Sequence, residues 1–236
     1  MVNVGLLDLG MRKRIRWSAN LAYAVGLIAT DGCLSKDGRH IVLVSKDLEQ
    51  LENFKLALRL KVGIGIHSSG NGYGKGKKYY HVQFGDVILY RFLLKIGLTF
   101  RKTMTLGVLD IPDQYFSDFL RGHLDGDGCT YSYWDPRWKS SYLFYTTFIS
   151  VSPEHIQWLR ERIKTLYKIP GKIKSSKLRS GNLMYQLVFA KTSSVKLISV
   201  LYSKRNCIYL NRKKLKIDQA LCIISQQAGV AKLVYA

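Results

Sequence analysis

Two hydrophobic periods alternate along this chain, and their order is played twice. Residues 24–33 read AVGLIATDGC and residues 120–129 read LRGHLDGDGC, and both segments are read as helices. After the first, strict alternation from Arg39 to Ser45 predicts a strand, and Leu48, Leu51, Phe54 and Leu58 then fall on one helical face. A strand at Val62–His67, a glycine-rich turn at Ser69–Lys77, a strand at Tyr79–Phe84 and a helix at Val87–Ile96 complete the unit. The second segment is followed by strands at Thr130–Trp134 and Leu143–Val151. Ser152, Pro153 and Glu154 open a helix whose buried stripe is Ile156, Leu159, Ile163 and Leu166. Strands at Lys172–Ser176 and Leu183–Phe189 and a helix at Ser193–Leu201 close it. Each half reads helix, two strands, helix, two strands, helix: an α+β duplication of αββαββα order. The segment 97–112 links the halves, and Gly107 and Pro112 argue against regular helix there. The expected boundaries are residues 1–106 for the first repeat, 107–225 for the second, and 226–236 for an appended, flexible C-terminal tail.

Charge changes the picture more than composition does. Of the 236 residues 47% are hydrophobic, which suits a packed core, but 37 Lys and Arg face 16 Asp and Glu, a formal net charge of +21. Such an imbalance repels itself in a compact fold and implies a polyanionic partner, nucleic acid ahead of an anionic membrane surface or an acidic protein. No apolar run is long enough to span a membrane. Cys33, Cys129, Cys207 and Cys222 are too scattered for a zinc site or a disulfide framework, so free thiols in an intracellular reducing compartment are expected.

The repeated segments share Gly26/Gly122, Asp31/Asp127, Gly32/Gly128 and Cys33/Cys129, all displaced by 96 positions. Ala22, Gly26 and Thr30 lie on one helical face, as do Asp118, Gly122 and Gly126, and small residues so placed let two helix backbones approach closely. Helix packing is a sufficient account of Gly26 and Gly122. The acids need another. Asp31 and Asp127 each stand at a helix C-terminus, beside a glycine suited to the position that follows a helix end. Carboxylates there oppose the helix dipole, and bringing two together adds repulsion. A divalent cation, Mg²⁺ or Mn²⁺, held by these hard oxygens and by carbonyls of the helix ends, would resolve both. One Asp-Gly pair is explained as a turn; two in matching positions of a strongly basic chain favour the metal.

On these residues the chain resembles the LAGLIDADG homing endonucleases: AVGLIATDG and LRGHLDGDG are similar to the motif that names the family, and IPDQYFSDFLRGHLDGDG is similar to its second copy. The likeness runs from about Trp17 to about Leu221, and two diverged copies resemble the monomeric, pseudo-twofold form rather than the homodimer. It implies saddle-shaped antiparallel sheets with the two motif helices packed at the centre. It also implies a magnesium-dependent, intron-encoded nuclease that cuts both strands of a long, asymmetric double-stranded DNA site across the minor groove, leaving 3′ overhangs. Asp31 and Asp127 match the family's essential acids, and Ala29 departs from the motif where Asp125 keeps it. Lys46, at the end of the strand before the second helix, matches a basic residue of the family, although it reads equally as a solvated charge. The second half offers Ser152 and Pro153 there, with Lys191 the alternative cation, so the half-sites are expected to be chemically unequal.

The sheets' exposed faces would lie in the major groove, where long polar side chains read base edges. Arg39, Lys77, Lys78, His81 and Gln83 are the candidates in the first half, and Lys172, Lys174, Lys177, Arg179 and Gln186 in the second. The segment 71–78 lacks the GxxxxGK[ST] order of a nucleotide loop and reads as a basic hairpin tip. The insertion from Trp134 to Lys139 either touches phosphates or packs, and most of the 15 tyrosines read as core-edge residues. The competing class is a maturase bound to intron RNA, or a non-cleaving DNA-binding protein, on the same fold; both would dispense with the acids.

Overall fold

The computed structural model describes residues 15–68, 78–100, 102–178 and 181–234. Helix α1 (Ala19–Asp31) begins where the Ser18 hydroxyl accepts a hydrogen bond from the Leu21 amide at 3.1 Å. Its residues from Leu21 to Ala29 are all buried, as expected of a helix apolar on every side and packed at a centre. Strands β1 (Gly32–Leu34), β2 (His40–Ser45), β3 (Gly65–Ser68) and β4 (Lys78–Gly85) form an antiparallel sheet of order β1-β2-β4-β3. Along it Ile41, Leu43, Val82 and Phe84 point into the core, while their alternate neighbours form an open face. Helices α2 (Leu48–Leu58) and α3 (Val87–Lys95) cover the inner face, their first turns capped by Asp47 and Asp86.

The second half repeats this with α5 (Phe116–Asp125), strands β5 (Cys129–Trp134), β6 (Tyr142–Ser150), β7 (Lys172–Lys177) and β8 (Leu183–Phe189) in the order β5-β6-β8-β7, and helices α6 (Pro153–Tyr167) and α7 (Lys191–Leu201). The repetition extends to backbone detail. Helix α2 ends on Arg59 and α6 on Lys168, both non-glycine residues in the left-handed region, at φ 55° and 58°.

Two elements stand outside the expected plan. The linker contains the short helix α4 (Lys102–Thr105), and the chain closes with α8 (Asn211–Val234), a 24-residue helix. The segment expected as a tail therefore starts inside a helix: residues 226–234 continue α8. Among the described residues no helix is long and apolar enough to cross a membrane.

A two-acid seam between the motif helices

Helices α1 and α5 touch backbone to backbone. A Cβ on Gly122 would lie 2.0 Å from the Tyr23 carbonyl oxygen, and one on Gly26 would lie 2.3 Å from that of Phe119. Only glycine fits at either place. Asp118, expected on the same small-residue face, is instead buried in contact with Arg121 (2.9 Å) and Lys204 (2.5 Å). The glycines after the acids also have a different cause from the one expected. Gly32 is extended (φ −82°, ψ 160°) rather than left-handed, and a Cβ there would meet the Ile28 Cα at 2.6 Å; one on Gly128 would meet the Leu124 Cα at 2.5 Å. Each strand folds back against the last turn of its own helix, leaving no room for a side chain.

The seam brings Asp31 and Asp127 together at its end. Asp31 reaches across it, with Oδ2 3.1 Å from where a side chain on Gly126 would begin. Gln50 Nε2 donates to that same oxygen at 2.6 Å, and the Ser45 hydroxyl donates to Gln50 Oε1 at 2.9 Å, which fixes the amide's orientation. Asp127 is exposed just past α5, and a cavity of about 170 Å³ opens beside it, lined by Thr30, Lys102, His123 and Ser150 among others. Burial, and then the neighbouring Asp127 charge, push the Asp31 pKa up against the pull of Gln50, Lys213 and Lys102. Desolvation likewise raises Asp127, against Lys102 and Lys213.

Two lysines that sequence reasoning passed over supply the site's positive charge. Lys102 Nζ donates to the carbonyls of Ala29 (3.0 Å) and Thr30 (2.7 Å) at the end of α1. Lys213 Nζ lies 2.6–2.9 Å from the carbonyls of Leu124, Asp125, Gly126 and Gly128 around the end of α5. They are cationic caps on the negative ends of the two helix dipoles. Burial lowers both lysine pKa values while the acids hold them up, Asp127 and Asp31 for Lys102, Asp125 and Asp31 for Lys213. Much of the compensation that the sequence assigned to a cation is therefore supplied by the protein, and these helix-end carbonyls are already engaged.

Among the described residues no group of three or more His, Cys, Asp or Glu side chains could hold a metal. The seam offers a poorer but suitable set: two carboxylates whose mutual repulsion a cation would relieve. That suits Mg²⁺, which keeps much of its water shell and binds through one or two carboxylates plus substrate phosphates. Asp125 has a different role. Fully buried, it accepts from the Tyr23 hydroxyl (2.8 Å) and the Leu210 amide (2.9 Å), and desolvation raises its pKa to about 6.

The remaining predicted residues divide. Lys46 is exposed, its ammonium 5.1 Å over the Tyr79 ring, and Lys191 donates to Gln227 at 3.1 Å; neither makes a hydrogen bond to a motif-helix end. His81 and Gln83 on β4, Lys172 and Lys174 on β7 and Gln186 on β8 share the open sheet faces, since their alternate neighbours Val82, Phe84, Ile173 and Leu187 face the core. Lys78 and Lys177 follow the core-facing parity and are exposed only because they end their strands. Arg39 is exposed in the turn before β2, and Lys77 and Arg179 lie outside the described residues. Trp134 packs on Tyr142, with ring centroids 5.0 Å apart, while Trp138 is 70% exposed.

The fold and seam define a class: a single chain of two α+β repeats whose first helices pack together and end in facing carboxylates. Residues 18–97 match the family model described as a LAGLIDADG-like domain. No curated protein sequence matches the chain. Among solved structures it is similar to the homing endonuclease I-WcaI bound to its DNA recognition sequence, with TM-score 0.58 and 13% identity over 88% of this chain and 95% of that one. It is similar also to the I-LtrWI LAGLIDADG homing endonuclease bound to target DNA (TM-score 0.52, 15% identity, 92% and 96%). Full-length DUF199/WhiA from Thermatoga maritima has the same architecture (TM-score 0.53, 15% identity, 91% and 69%). At these identities the likeness establishes the fold. The chain has the LAGLIDADG fold in its two-motif, single-chain form.

Proposed function

We propose that the protein is a site-specific endonuclease that hydrolyses both strands of a long, asymmetric double-stranded DNA target and promotes mobility of the intron that encodes it. The observation that carries this is the convergence of Asp31 and Asp127 at the ends of two packed helices, with Lys102 and Lys213 beside them. A Mg²⁺ or Mn²⁺ ion bound by the two carboxylates would lower the pKa of its water and offset charge on the phosphate. The chain's own residues do the rest. In this reading each acid faces one strand, the helix ends hold the acids at a fixed separation, and Lys102 and Lys213 favour the acids' ionised form against burial. Gln50 orients Asp31, but the matching residue of the second half, His155, turns to the Gly107 carbonyl (2.9 Å) and to His123 (3.2 Å). Asp127 has no such guide at that position, so the two strands are cut at unequal rates.

The test is cleavage of supercoiled DNA carrying the uninterrupted host locus, with Mg²⁺, by the wild type and by Asp31→Asn and Asp127→Asn. A transient nicked form should precede linear product, and each variant should lose at least a hundredfold in double-strand cleavage while still binding the duplex. Retained double-strand cleavage in either variant removes the acids from the mechanism. Tight binding without cleavage by the wild type, to this DNA or to intron RNA, would assign the fold a binding role instead.

A further inference from the structure

The open face of the second sheet carries a group of side chains that neither the acids nor the cationic strands explain. Tyr131 and Tyr133 on β5 and Tyr145 on β6 point to that face, where Tyr131 and Tyr145 are direct cross-strand partners. Their rings are nearly parallel, with centroids 5.1 Å apart for Tyr131–Tyr145, 6.3 Å for Tyr133–Tyr145 and 6.5 Å for Tyr131–Tyr133. Tyr131 and Tyr133 are 43% and 45% exposed. A contiguous exposed aromatic patch is an unusual surface for an otherwise strongly basic protein and marks a contact site. Among the described residues the first half has nothing like it. The positions corresponding to the three tyrosines are Ser35, Asp37 and His40, which form a turn in which the Asp37 carboxylate accepts from the Arg39 (3.1 Å) and His40 (3.0 Å) amides.

Resting on the DNA-cleaving reading above, we infer that this tyrosine ladder recognises the 5-methyl edges of thymines in one arm of the target. The rings stack on one another, so they offer a partner their edges and phenol oxygens rather than free faces. A stacking platform for unpaired bases needs the faces. Ring edges suit the major groove of a duplex, where the thymine methyl is the apolar feature that distinguishes one base pair from another. Position follows from strand geometry. Tyr131 and Tyr133 lie four and six residues beyond Asp127, on the order of 13–20 Å along an extended strand at about 3.3 Å per residue, or roughly 4–6 base pairs from the scissile phosphate. Gln186 on β8 and Lys172 and Lys174 on β7, one and two strands beyond β6 on the same face, contact the more distal part of that arm. The ladder thus makes one half-site apolar near its centre and polar outside, and the target asymmetric.

The test is selection of bound duplexes from a randomised library by the full-length protein, followed by affinity measurements in which deoxyuridine replaces each selected thymine. Thymines should appear about 4–6 base pairs from the cut on one arm only, and each lost methyl there should weaken binding about fourfold. Tyr131→Ala and Tyr145→Ala should abolish that sensitivity and the thymine preference, and Tyr131→Phe should keep both. Lys174→Ala should weaken binding to every sequence and leave the methyl effect intact. Thymine and deoxyuridine duplexes of equal affinity, or a profile unchanged by Tyr131→Ala, would overturn the inference and leave the DNA reading standing. A selection that yields no duplex but retains single-stranded DNA or RNA would overturn both.

Discussion

Replacing Lys213 by Met keeps the side chain's length and removes its charge, and the structure sets what this should cost. The ammonium has three protons, and four carbonyl oxygens lie within 2.6–2.9 Å of it. At about 1.5–3 kcal/mol for each charge-assisted bond, the gross contribution is roughly 5–9 kcal/mol. Desolvation of the ammonium, visible in its lowered pKa, takes back several kcal/mol. The net loss of stability for Lys213→Met is then about 3–4 kcal/mol. Lys102 binds two carbonyls by the same geometry, so Lys102→Met should cost about half as much. Urea unfolding followed by circular dichroism measures both, with the slope of the transition unchanged. Activity should change as well. Lys213 lowers the pKa of both Asp31 and Asp127, so its loss raises both, and the acid limb of cleavage moves to higher pH. A Lys213→Met protein within about 1 kcal/mol of the wild type, or less destabilised than Lys102→Met, would refute the capping argument.

Gly122→Ala places a methyl 2.0 Å from the Tyr23 carbonyl and must part the helices; overpacking of this kind costs about 1–3 kcal/mol, and displacement of the acids should remove most cleavage. Gly38→Ala, at φ +77° but in open space, should cost only about 1 kcal/mol, so equal losses in thermal unfolding would argue against the seam. Buried Asp125, raised to about 6, costs stability progressively as pH rises from about 4 to 6, whereas His155, lowered to about 4, costs stability as pH falls from 6.5 to 4. These opposite slopes, each about 3 kcal/mol, partly offset one another in the wild type, while buried His123, held well below its usual range by desolvation, adds to the loss on the acid side. Asp125→Asn should therefore lose stability more steeply than the wild type on acidification through that window, and a variant whose profile parallels the wild type in urea titrations would contradict the assignment.

Alternation of side chains was enough to place the sheets and their covering helices, because each strand has one face on the core and its period is therefore visible. The acids were visible because the 96-residue repeat survives at them. Their counter-charges were not. The offset between equivalent positions grows from 96 at the acids to 105 at the helix caps Asp47 and Ser152 and 111 at the lysines, as the longer β5–β6 hairpin and later insertions accumulate. A fixed-register comparison therefore misses Lys102 and Lys213. The repeated Arg-Lys pairs at 101–102 and 212–213 were the available signal. Helix α8 was obscured for a related reason: its first turns are crowded with lysines, and Ile217 and Ala220 are its only fully buried residues in the described part. Lys46 keeps the residue type that the resemblance asks for, and its place over the Tyr79 ring is a tertiary contact that local sequence does not reveal. The glycines after the acids were identified correctly and explained wrongly, since a close approach within the fold cannot be told from a left-handed turn by residue type.

The two caps are also where the halves become one molecule. The segment after the first repeat caps α1 through Lys102 and then docks on the second half, where the Ser152 hydroxyl donates to the Leu106 carbonyl (2.5 Å) and His155 meets that of Gly107 (2.9 Å). The segment after the second repeat caps α5 through Lys213 and docks on the first half: the Asn53 amide donates to the Tyr209 carbonyl (2.8 Å), the Asn211 amide to Glu49 (3.0 Å), and Arg212 pairs with Asp47. Each repeat thus secures its own motif helix with a segment whose position is set by the other repeat's second helix. A lone repeat would keep its acid but lose the surface that holds its lysine in place. Asp31 and Asp127 would then be brought together without their compensating charges, a state that burial and mutual repulsion both oppose. The seam and its cations are therefore completed in the same step, and covalent linkage of the two repeats makes that step intramolecular.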